Sequence, residues 1–492
     1  MADQVLERER PQHAPGRVAD ETLQLRRAVV RRSARRSGGL DAFPHTRRPL
    51  PWLLAAFVVM VFTVPIDQVN LDVHLPFNSQ IDRFFVAFMV LAWLVLGGDQ
   101  RTLGRSRRSK LFVHAAVGFV IVAVASLLLD SARIINLNEW TLAQKQIALL
   151  VSFLAIAGFS LTALRFEDMH GFVSLVIGLS TIMAIGVLIE RRTGFNVFYW
   201  ASGKVLSPIA TVASPDTSIN LAASSDDRVV VLGPTATGLA CAAMLCMMLP
   251  FPLARLIGAE TRRDWWKYAT ISAFVLAAAM ATDKKSTLIL PAVVVIYFAV
   301  YRPRMLVRLI PLGIAMIGFV HVVAPDTLGT VLSPGQWFNS NSTTHRTTDL
   351  QSIMPDILAH PIFGRGFGSL DTTAADQFRI LDDEFLDMIW QSGVLGIAAY
   401  AWLILAPVVG ARKSIRSRIP DVSLMTLAAS ASCLVFFAAS AIFDTLSFDQ
   451  TPYLFFVVAS FCVVLSDPVA AGRVVRQRAR AAPATVVRAV PA

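Results

Sequence analysis

Residues His345 to Gly396 read HRTTDLQSIMPDILAHPIFGRGFGSLDTTAADQFRILDDEFLDMIWQSGVLG. This segment is polar, whereas the chain on either side consists of apolar runs long enough to cross a membrane. Because a charged side chain at the centre of a bilayer is costly, most of the segment should lie outside the hydrocarbon region. The sequence therefore predicts a large loop between two membrane spans, and long ordered loops in compact proteins usually carry function.

The first part of this loop predicts an amphipathic helix, because its apolar residues recur three and four positions apart: Leu350, Ile353, Met354, Ile357 and Leu358. Pro361 disfavours helical geometry at the residue before it, so the helix should end at His360. Gly364, Gly366 and Gly368 follow and predict a sharp turn with positive φ angles. No strand precedes these glycines, so they do not indicate a dinucleotide-binding or phosphate-binding loop.

The last part of the loop is an acidic cluster at the entrance to the next apolar run, formed by Asp382, Asp383, Glu384 and Asp387. On a helix, Asp383 and Asp387 would share one face because they are four residues apart. A carboxylate near apolar surface can have a raised pKa and accept a proton. Acidic residues are also favourable in the first turn of any helix, so a purely structural role stays open.

The composition identifies an integral membrane protein. Hydrophobic residues make up 55% of the 492 residues and charged residues 16%, whereas soluble domains carry about 25% charged residues. The net charge of +11 does not indicate nucleic-acid binding, because the basic residues lie in tails and short loops. The four cysteines fall inside apolar runs and should be buried apolar residues. We expect no disulfide framework, no metal site and no cofactor.

The apolar runs predict an all-α membrane protein with twelve transmembrane helices, because each run approaches the roughly 20 residues that a span requires. We place the spans at 50–67, 81–97, 111–130, 147–164, 171–190, 230–254, 268–283, 286–301, 305–324, 385–409, 422–443 and 451–466. The seventh and eighth spans are short and closely spaced.

The basic residues predict the orientation. Of the 45 lysines and arginines, 32 lie in the tails and alternate loops that would face the cytoplasm if the N-terminus is inside, and 12 lie on the other side. The chain then divides into a disordered basic cytoplasmic tail (1–49), a membrane domain (50–466) and a second basic cytoplasmic tail (467–492). Two long loops, 191–229 and 324–384, would lie outside; the second joins the ninth and tenth helices.

Several motifs together resemble the superfamily of O-antigen ligases and Wzy-type polysaccharide polymerases. They are the pattern His360-Pro-Ile-Phe-Gly-Arg-Gly-Phe-Gly368, the sequence Glu384-Phe-Leu386, the sequence Gly393-Val-Leu-Gly396, and a Glu-x-x-Thr-Gly-x-Asn-x-Phe pattern from Glu190 to Phe198. The likeness extends over residues 189–410. It implies an enzyme that transfers undecaprenyl-diphosphate-linked oligosaccharide on the outer face of the bacterial plasma membrane.

The resemblance implies that cations hold the diphosphate leaving group. Arg228 stands where the superfamily has an arginine, and Lys285 stands where it has another, with Lys284 beside it. Lysine keeps the charge but not the two-pronged geometry of arginine. Arg346 and Arg365 are further candidates within the large loop. Each of these residues has an alternative interpretation as an interfacial or solvated charge.

The resemblance also places the catalytic base. The superfamily has a His-Asn pair at the start of the tenth span, and the matching residues here are Asp382 and Asp383. We expect one of these two carboxylates to accept the proton, with His345 as a substitute. Because the family histidine is absent, a polymerase is favoured over a ligase. The expected partners are the lipid-linked glycan, the bilayer, and a flippase or chain-length regulator.

A lipid-linked glycan flippase or a secondary transporter is the alternative function, because twelve spans with both ends inside is also a transporter architecture. A flippase should line its cavity with charges spread over several spans, and the predicted spans carry few charges. Transporters of this size usually have short outer loops, whereas residues 324–384 form a long one. These differences favour the glycan transferase.

Overall fold

The computed structural model describes nine segments of the chain and two isolated residues. They are 42–72, 80–96, 107–136, 139–213, 230–282, 286–307, 341–369, 383–417 and 419–467, together with 313 and 318. The ends of the chain that were predicted to be tails lie almost entirely outside the described residues. The outer loops 191–229 and 324–384 are described in part.

The described chain is helical, with one small two-stranded ribbon. The helices are α1 (Pro49–Thr63), α2 (Ile81–Leu96), α3 (Arg107–Leu129), α4 (Ser131–Asn136), α5 (Trp140–Ala163), α6 (Met169–Thr193), α7 (Val197–Leu206), α8 (Gly238–Met248), α9 (Pro250–Ile257), α10 (Arg262–Ala281), α11 (Ser286–Tyr301), α12 (Pro303–Leu306), α13 (Asn341–Ala359), α14 (Glu384–Ile415), α15 (Pro420–Ser440) and α16 (Gln450–Leu465). Strands β1 (Val69–Leu71) and β2 (Ala210–Val212) pair antiparallel, with Asn70 opposite Thr211.

Six helical segments of the described chain are long and apolar enough to cross a membrane. They are Lys110–Leu129, Trp140–Ala163, Phe166–Thr193, Gly238–Ile257, Glu384–Ile415 and Pro420–Ser440. Three shorter apolar helices are Pro49–Thr63, Leu288–Tyr301 and Gln450–Leu465. The all-helical membrane character is therefore confirmed, whereas the total of twelve spans stays a prediction. The predicted ninth span, 305–324, lies mostly outside the described residues.

The predicted sixth span begins later than the sequence indicated. Residues 230–237 belong to the apolar run, but they are irregular, and α8 starts only at Gly238. Gly233 has a φ of +61°, which interrupts any helix at that residue, and Pro234 follows. Thr237 caps the helix by accepting a hydrogen bond from the backbone N–H of Ala240.

Helix α16 lies at the centre of the bundle. Every residue of Gln450–Leu465 except Val464 is buried, and the helix packs against α5, α14 and α15. A helix that is apolar on all sides lies either in a protein core or in lipid, and the contacts of α16 place it among other helices. Aromatic side chains fill the space around it; the ring of Tyr453 meets Phe57 and Phe153 edge-on at 5.1 and 4.8 Å.

Helix α14 bends sharply near its start, and this bend positions the candidate site. Gly393 has φ +65° and ψ −164°, so the helix is interrupted there. Beyond the bend, α14 packs against α3 and α15. A broken helix within a membrane protein is tolerated where other protein groups satisfy the freed backbone.

Candidate functional site

The glycine turn has the geometry that its sequence predicts. Gly364, Gly366 and Gly368 have φ angles of +66°, +104° and +69°. A Cβ atom on Gly364 would lie 2.4 Å from the backbone carbonyl of Gln391. Glycine is therefore required here both for the backbone angle and for the close approach of the turn to α14. The preceding helix, α13, ends at Ala359, as predicted from Pro361.

The glycine turn satisfies the backbone groups at the bend in α14. The contacts are Arg365 N–H to Trp390 O (3.1 Å), Gly366 N–H to Gln391 O (2.9 Å) and Val394 N–H to Pro361 O (2.9 Å). The Ser126 hydroxyl of α3 donates to Phe363 O (2.7 Å) and so connects the turn to a second helix. A buried backbone group that is left unpaired costs a free energy comparable to that of a lost hydrogen bond. The glycine turn and the first turns of α14 therefore form one structural unit.

Three carboxylates meet beside this unit. Glu384 and Asp387 come from the first turn of α14, and Asp444 comes from the connection between α15 and α16. Each contributes an oxygen that lies within 4.8 Å of the other two. They line a cavity of about 30 Å³, to which Gly368 and Gln391 also contribute. We call these three residues the acidic triad.

Each acid of the triad is held by a specific donor. The backbone N–H of Leu446 donates to Glu384 Oε2 at 2.8 Å, and the Ser447 hydroxyl donates to Asp444 Oδ2. The side-chain amide of Gln391 donates to Asp387 Oδ2 at 2.6 Å. Glu384 is fully buried and Asp387 is 6% exposed. The second oxygens of both residues, Oε1 and Oδ1, accept no hydrogen bond from an N–H or hydroxyl group of the described residues. The carboxyl groups of Glu384 and Asp444 lie close enough to share a hydrogen bond with each other.

Asp383 has a structural role. Its backbone is extended, with φ −149° and ψ 113°, so it lies outside α14 as the N-cap. Its carboxylate accepts hydrogen bonds from the N–H groups of Phe385 and Leu386, at 2.9 and 3.3 Å. The expectation that Asp383 and Asp387 share a helix face is therefore wrong, because only Asp387 is helical. Asp382 lies outside the described residues.

Arg365 links the glycine turn to α13 through an ion pair. Its guanidinium pairs with Asp356 at 2.6 Å, and its side chain is 17% exposed. The indole N–H of Trp390 donates to the same carboxylate at 3.3 Å. A phosphate bound by Arg365 would compete with this ion pair. The structure therefore supports a structural role for Arg365 over a role in phosphate binding.

The other predicted site residues cannot be compared with the triad. Arg228, Lys284 and Lys285 lie outside the described residues, and the assignments to them stay predictions. His345 and Arg346 belong to α13, but their side chains are outside the described part of the structure.

Sequence reasoning missed Asp444 and Arg133. Asp444 directly follows the predicted eleventh span, 422–443, and a lone acid at that position belongs to no motif. Arg133 lies in α4 and pairs with Asp130 and, at 3.0 Å, with Glu139. Its guanidinium also donates to the carbonyl of Arg365, so a basic residue from another part of the chain orients the glycine turn. The only signal in the sequence is the Asp130-x-x-Arg133 spacing, which favours a helical ion pair.

A second group of buried acids lies at the start of α16. Asp449 donates its backbone N–H to Asp67 at 3.1 Å, and Tyr453 donates to Asp82 at 2.8 Å. Burial, followed by the nearby charge of Asp82, raises the pKa of Asp67 to about 7. Burial, together with Asp67 and Asp82, also raises the pKa of Asp449 well above its ordinary value. We call Asp67, Asp82 and Asp449 the second acidic cluster.

The Glu190 motif fixes the irregular segment before α8. The Glu190 carboxylate accepts the N–H groups of Leu232 (3.2 Å) and Gly233 (2.8 Å). Asn196 donates to Glu190 and to the Gly233 carbonyl, at 2.8 and 2.7 Å, and its oxygen caps α7. This network agrees with the interpretation of the motif as a determinant of the fold.

Comparison with known proteins assigns neither a family nor a function to this chain. The function expected from the sequence therefore depends on the motif residues and on the geometry described above. No model of a known protein family matches this chain, and no curated protein matches it.

Proposed function

We propose that this protein is a membrane glycosyltransferase that polymerises a surface polysaccharide. It would transfer undecaprenyl-diphosphate-linked oligosaccharide on the outer face of the bacterial plasma membrane, with both termini in the cytoplasm. The observation that carries the proposal is the cavity of the acidic triad, enclosed by the same glycine turn and α14 start that resemble the ligase and polymerase superfamily.

The chemistry requires a proton acceptor and a stabilised leaving group. The hydroxyl oxygen of the acceptor sugar attacks the anomeric carbon of the donor, and the bond from that carbon to the diphosphate oxygen breaks. Undecaprenyl diphosphate leaves, and the hydroxyl proton passes to a carboxylate. We assign this proton to the acidic triad. Asp383 is occupied as a helix cap, whereas Glu384 and Asp387 each keep an oxygen that accepts no hydrogen bond from a described N–H or hydroxyl group.

The leaving diphosphate carries negative charge and needs cations near it. The basic residues assigned to this task are Arg228, Lys284, Lys285, Arg346 and Arg365. Arg365 would have to exchange Asp356 for phosphate. The remaining four belong to loops and helix ends on the side of the chain that the charge distribution predicts to be external.

Deletion of the gene in its host, followed by analysis of lipid-linked glycans, tests the proposal. A polymerase mutant should accumulate single repeat units on the outer face of the membrane. Long lipid-linked chains would instead identify a ligase that acts on lipid A-core or protein. An unchanged glycan profile would exclude both activities.

A flippase or secondary transporter is the second candidate, and the second acidic cluster favours it. Asp82 is fully buried in α2 and bonded to Tyr453 of α16. Ionisable groups buried in a helical bundle often mark ion or proton pathways. The same deletion distinguishes this function, because loss of a flippase should leave single repeat units on the inner face, inaccessible to an added glycosidase.

A further inference from the structure

The negative charge of the acidic triad is not balanced by any basic residue among its described neighbours. None of the described residues that line its cavity is basic. Among the ion pairs between described residues, none includes Glu384, Asp387 or Asp444. Buried charges in proteins are normally paired or coordinate a metal ion. The triad therefore needs either protons or a cation.

The unpaired oxygens point to a ligand. Glu384 and Asp387 each accept a hydrogen bond through one oxygen, and the other oxygen is buried and meets no N–H or hydroxyl donor in the described part of the chain. Such buried polar groups are uncommon in folded proteins, and a bound ion is one way in which they are satisfied. Both residues are more than nine-tenths buried, and both line the cavity. These oxygens are therefore available to a species inside it.

The spacing of the carboxylates fits an oxygen-preferring divalent cation. Two oxygens on opposite sides of a calcium ion lie roughly 4.6–5.2 Å apart, since each bond is about 2.3–2.6 Å long. The ligand oxygens of the triad lie within 4.8 Å of one another. The cavity of about 30 Å³ is larger than the roughly 10–15 Å³ that one water molecule requires. Carboxylates are the ligands that magnesium, calcium and manganese prefer.

The donors around the triad hold it in a suitable arrangement for such an ion. Gln391 fixes Asp387, and the backbone N–H of Leu446 fixes Glu384. Ligating carboxylates in metal sites are themselves hydrogen-bonded in this way. The ligands come from α14 and from the connection before α16, so a bound ion would link two parts of the bundle.

We infer that Glu384, Asp387 and Asp444 form a binding site for one divalent cation of the magnesium, calcium or manganese type. This differs from the metal-independent chemistry that the sequence predicts. A role for the ion in catalysis rests on the proposed function: magnesium is commonly held by one or two carboxylates together with substrate phosphates.

Titration of the purified full-length protein with Mn²⁺, followed by electron paramagnetic resonance, tests the site. The wild-type protein should bind one Mn²⁺ per chain, and Mg²⁺ or Ca²⁺ should displace it. Glu384→Gln and Asp444→Asn should each weaken binding by at least about tenfold. Asp449→Asn is the matched control, because it removes a carboxylate from the same connection as Asp444 but from the second acidic cluster; it should bind Mn²⁺ as the wild type does.

Size-exclusion profiles establish that each variant is folded, and Asp444→Asn, whose side chain is half-buried, suffices if Glu384→Gln does not fold. Absence of Mn²⁺ binding by the wild type would overturn the inference. Equal weakening in Asp449→Asn would also overturn it. The titration contains no glycan, so its failure is independent of the outcome of the gene deletion.

Discussion

The side-chain amide of Gln391 donates a hydrogen bond of 2.6 Å to the carboxylate of Asp387. The same amide accepts the backbone N–H of Gly368 through its oxygen, also at 2.6 Å. One buried side chain therefore links the position of the glycine turn to the orientation of a triad carboxylate. A displacement of the turn should reach the cavity directly through this chain of hydrogen bonds.

Replacement of Gln391 by alanine should uncouple the turn from the triad. The Gly368 N–H would lose its partner inside the protein, and the free energy of unfolding should fall by about 1–3 kcal/mol. Polymer synthesis should fall as well, because Asp387 is no longer oriented. Gln351→Ala is the control, since Gln351 is exposed on α13. Thermal unfolding in detergent measures the difference, and equal melting temperatures for both variants would contradict the coupling.

Gly364→Ala should displace the glycine turn from α14. The added Cβ would lie 2.4 Å from the backbone of Gln391, and the φ of +66° disfavours any residue with a side chain. We expect a loss of about 1–3 kcal/mol in stability. Gly178→Ala is the control, because no atom of the described residues lies within 4 Å of the added Cβ in the middle of α6. If both variants have the same melting temperature, the close approach of the glycine turn to α14 is not required for stability.

The sequence predicted the local features of this region well. The end of α13 before Pro361 and the positive φ angles of the glycines depend on backbone preferences of a few neighbouring residues. The acidic triad could not be predicted in the same way. Asp444 joins Glu384 and Asp387 only because α14 and α15 pack side by side, and nothing in the spacing of these residues indicates that contact.

The sixth span illustrates a second limit of sequence patterns. Residues 230–237 are apolar, which is equally compatible with a helix and with a buried irregular segment. The segment is irregular because the distant Glu190 satisfies the N–H groups of Leu232 and Gly233. Only the glycine and proline at 233–234 gave a local signal.

The orientation in the membrane predicts opposite accessibility at the two ends of the bundle. Ser207 is exposed in the loop that should face outwards, and Arg416 is exposed at the end of α14 that should face the cytoplasm. Ser207→Cys should react with an impermeant thiol reagent in intact cells, whereas Arg416→Cys should react only after lysis. The native cysteines are buried and give little background. Labelling of Arg416→Cys in intact cells would contradict the orientation.

The second acidic cluster should make stability depend on pH. The pKa of Asp67 is about 7 in the folded protein and about 3.8 in an unfolded chain, so the folded state retains a proton between these values. The free energy of unfolding should therefore decrease as the pH rises from about 4 to about 7.

Asp67→Asn should remove this part of the pH dependence. The titratable groups that interact with Asp67 are Asp82, Asp449 and Tyr199, and the variant leaves all three in place. Melting temperatures in detergent at pH 5 and pH 8 measure the effect. The melting temperature of the variant minus that of the wild type should be higher at pH 8 than at pH 5. Parallel behaviour of the two proteins would show that the Asp67 carboxyl does not titrate in this range.

The location of the catalytic base is tested by two asparagine substitutions at the start of α14. Asp383→Asn should retain polymer synthesis, because asparagine caps a helix about as well as aspartate and can accept the same two backbone N–H groups. Asp387→Asn should lower synthesis by roughly a hundred- to ten-thousand-fold, since the triad loses a carboxylate that can accept a proton. Polymer made by a deletion strain carrying each variant at equal protein level is the measurement. Normal synthesis with Asp387→Asn would contradict the assignment to the triad. If Asp382→Asn or His345→Ala abolished synthesis at the same time, the catalytic base would be the residue predicted from the sequence.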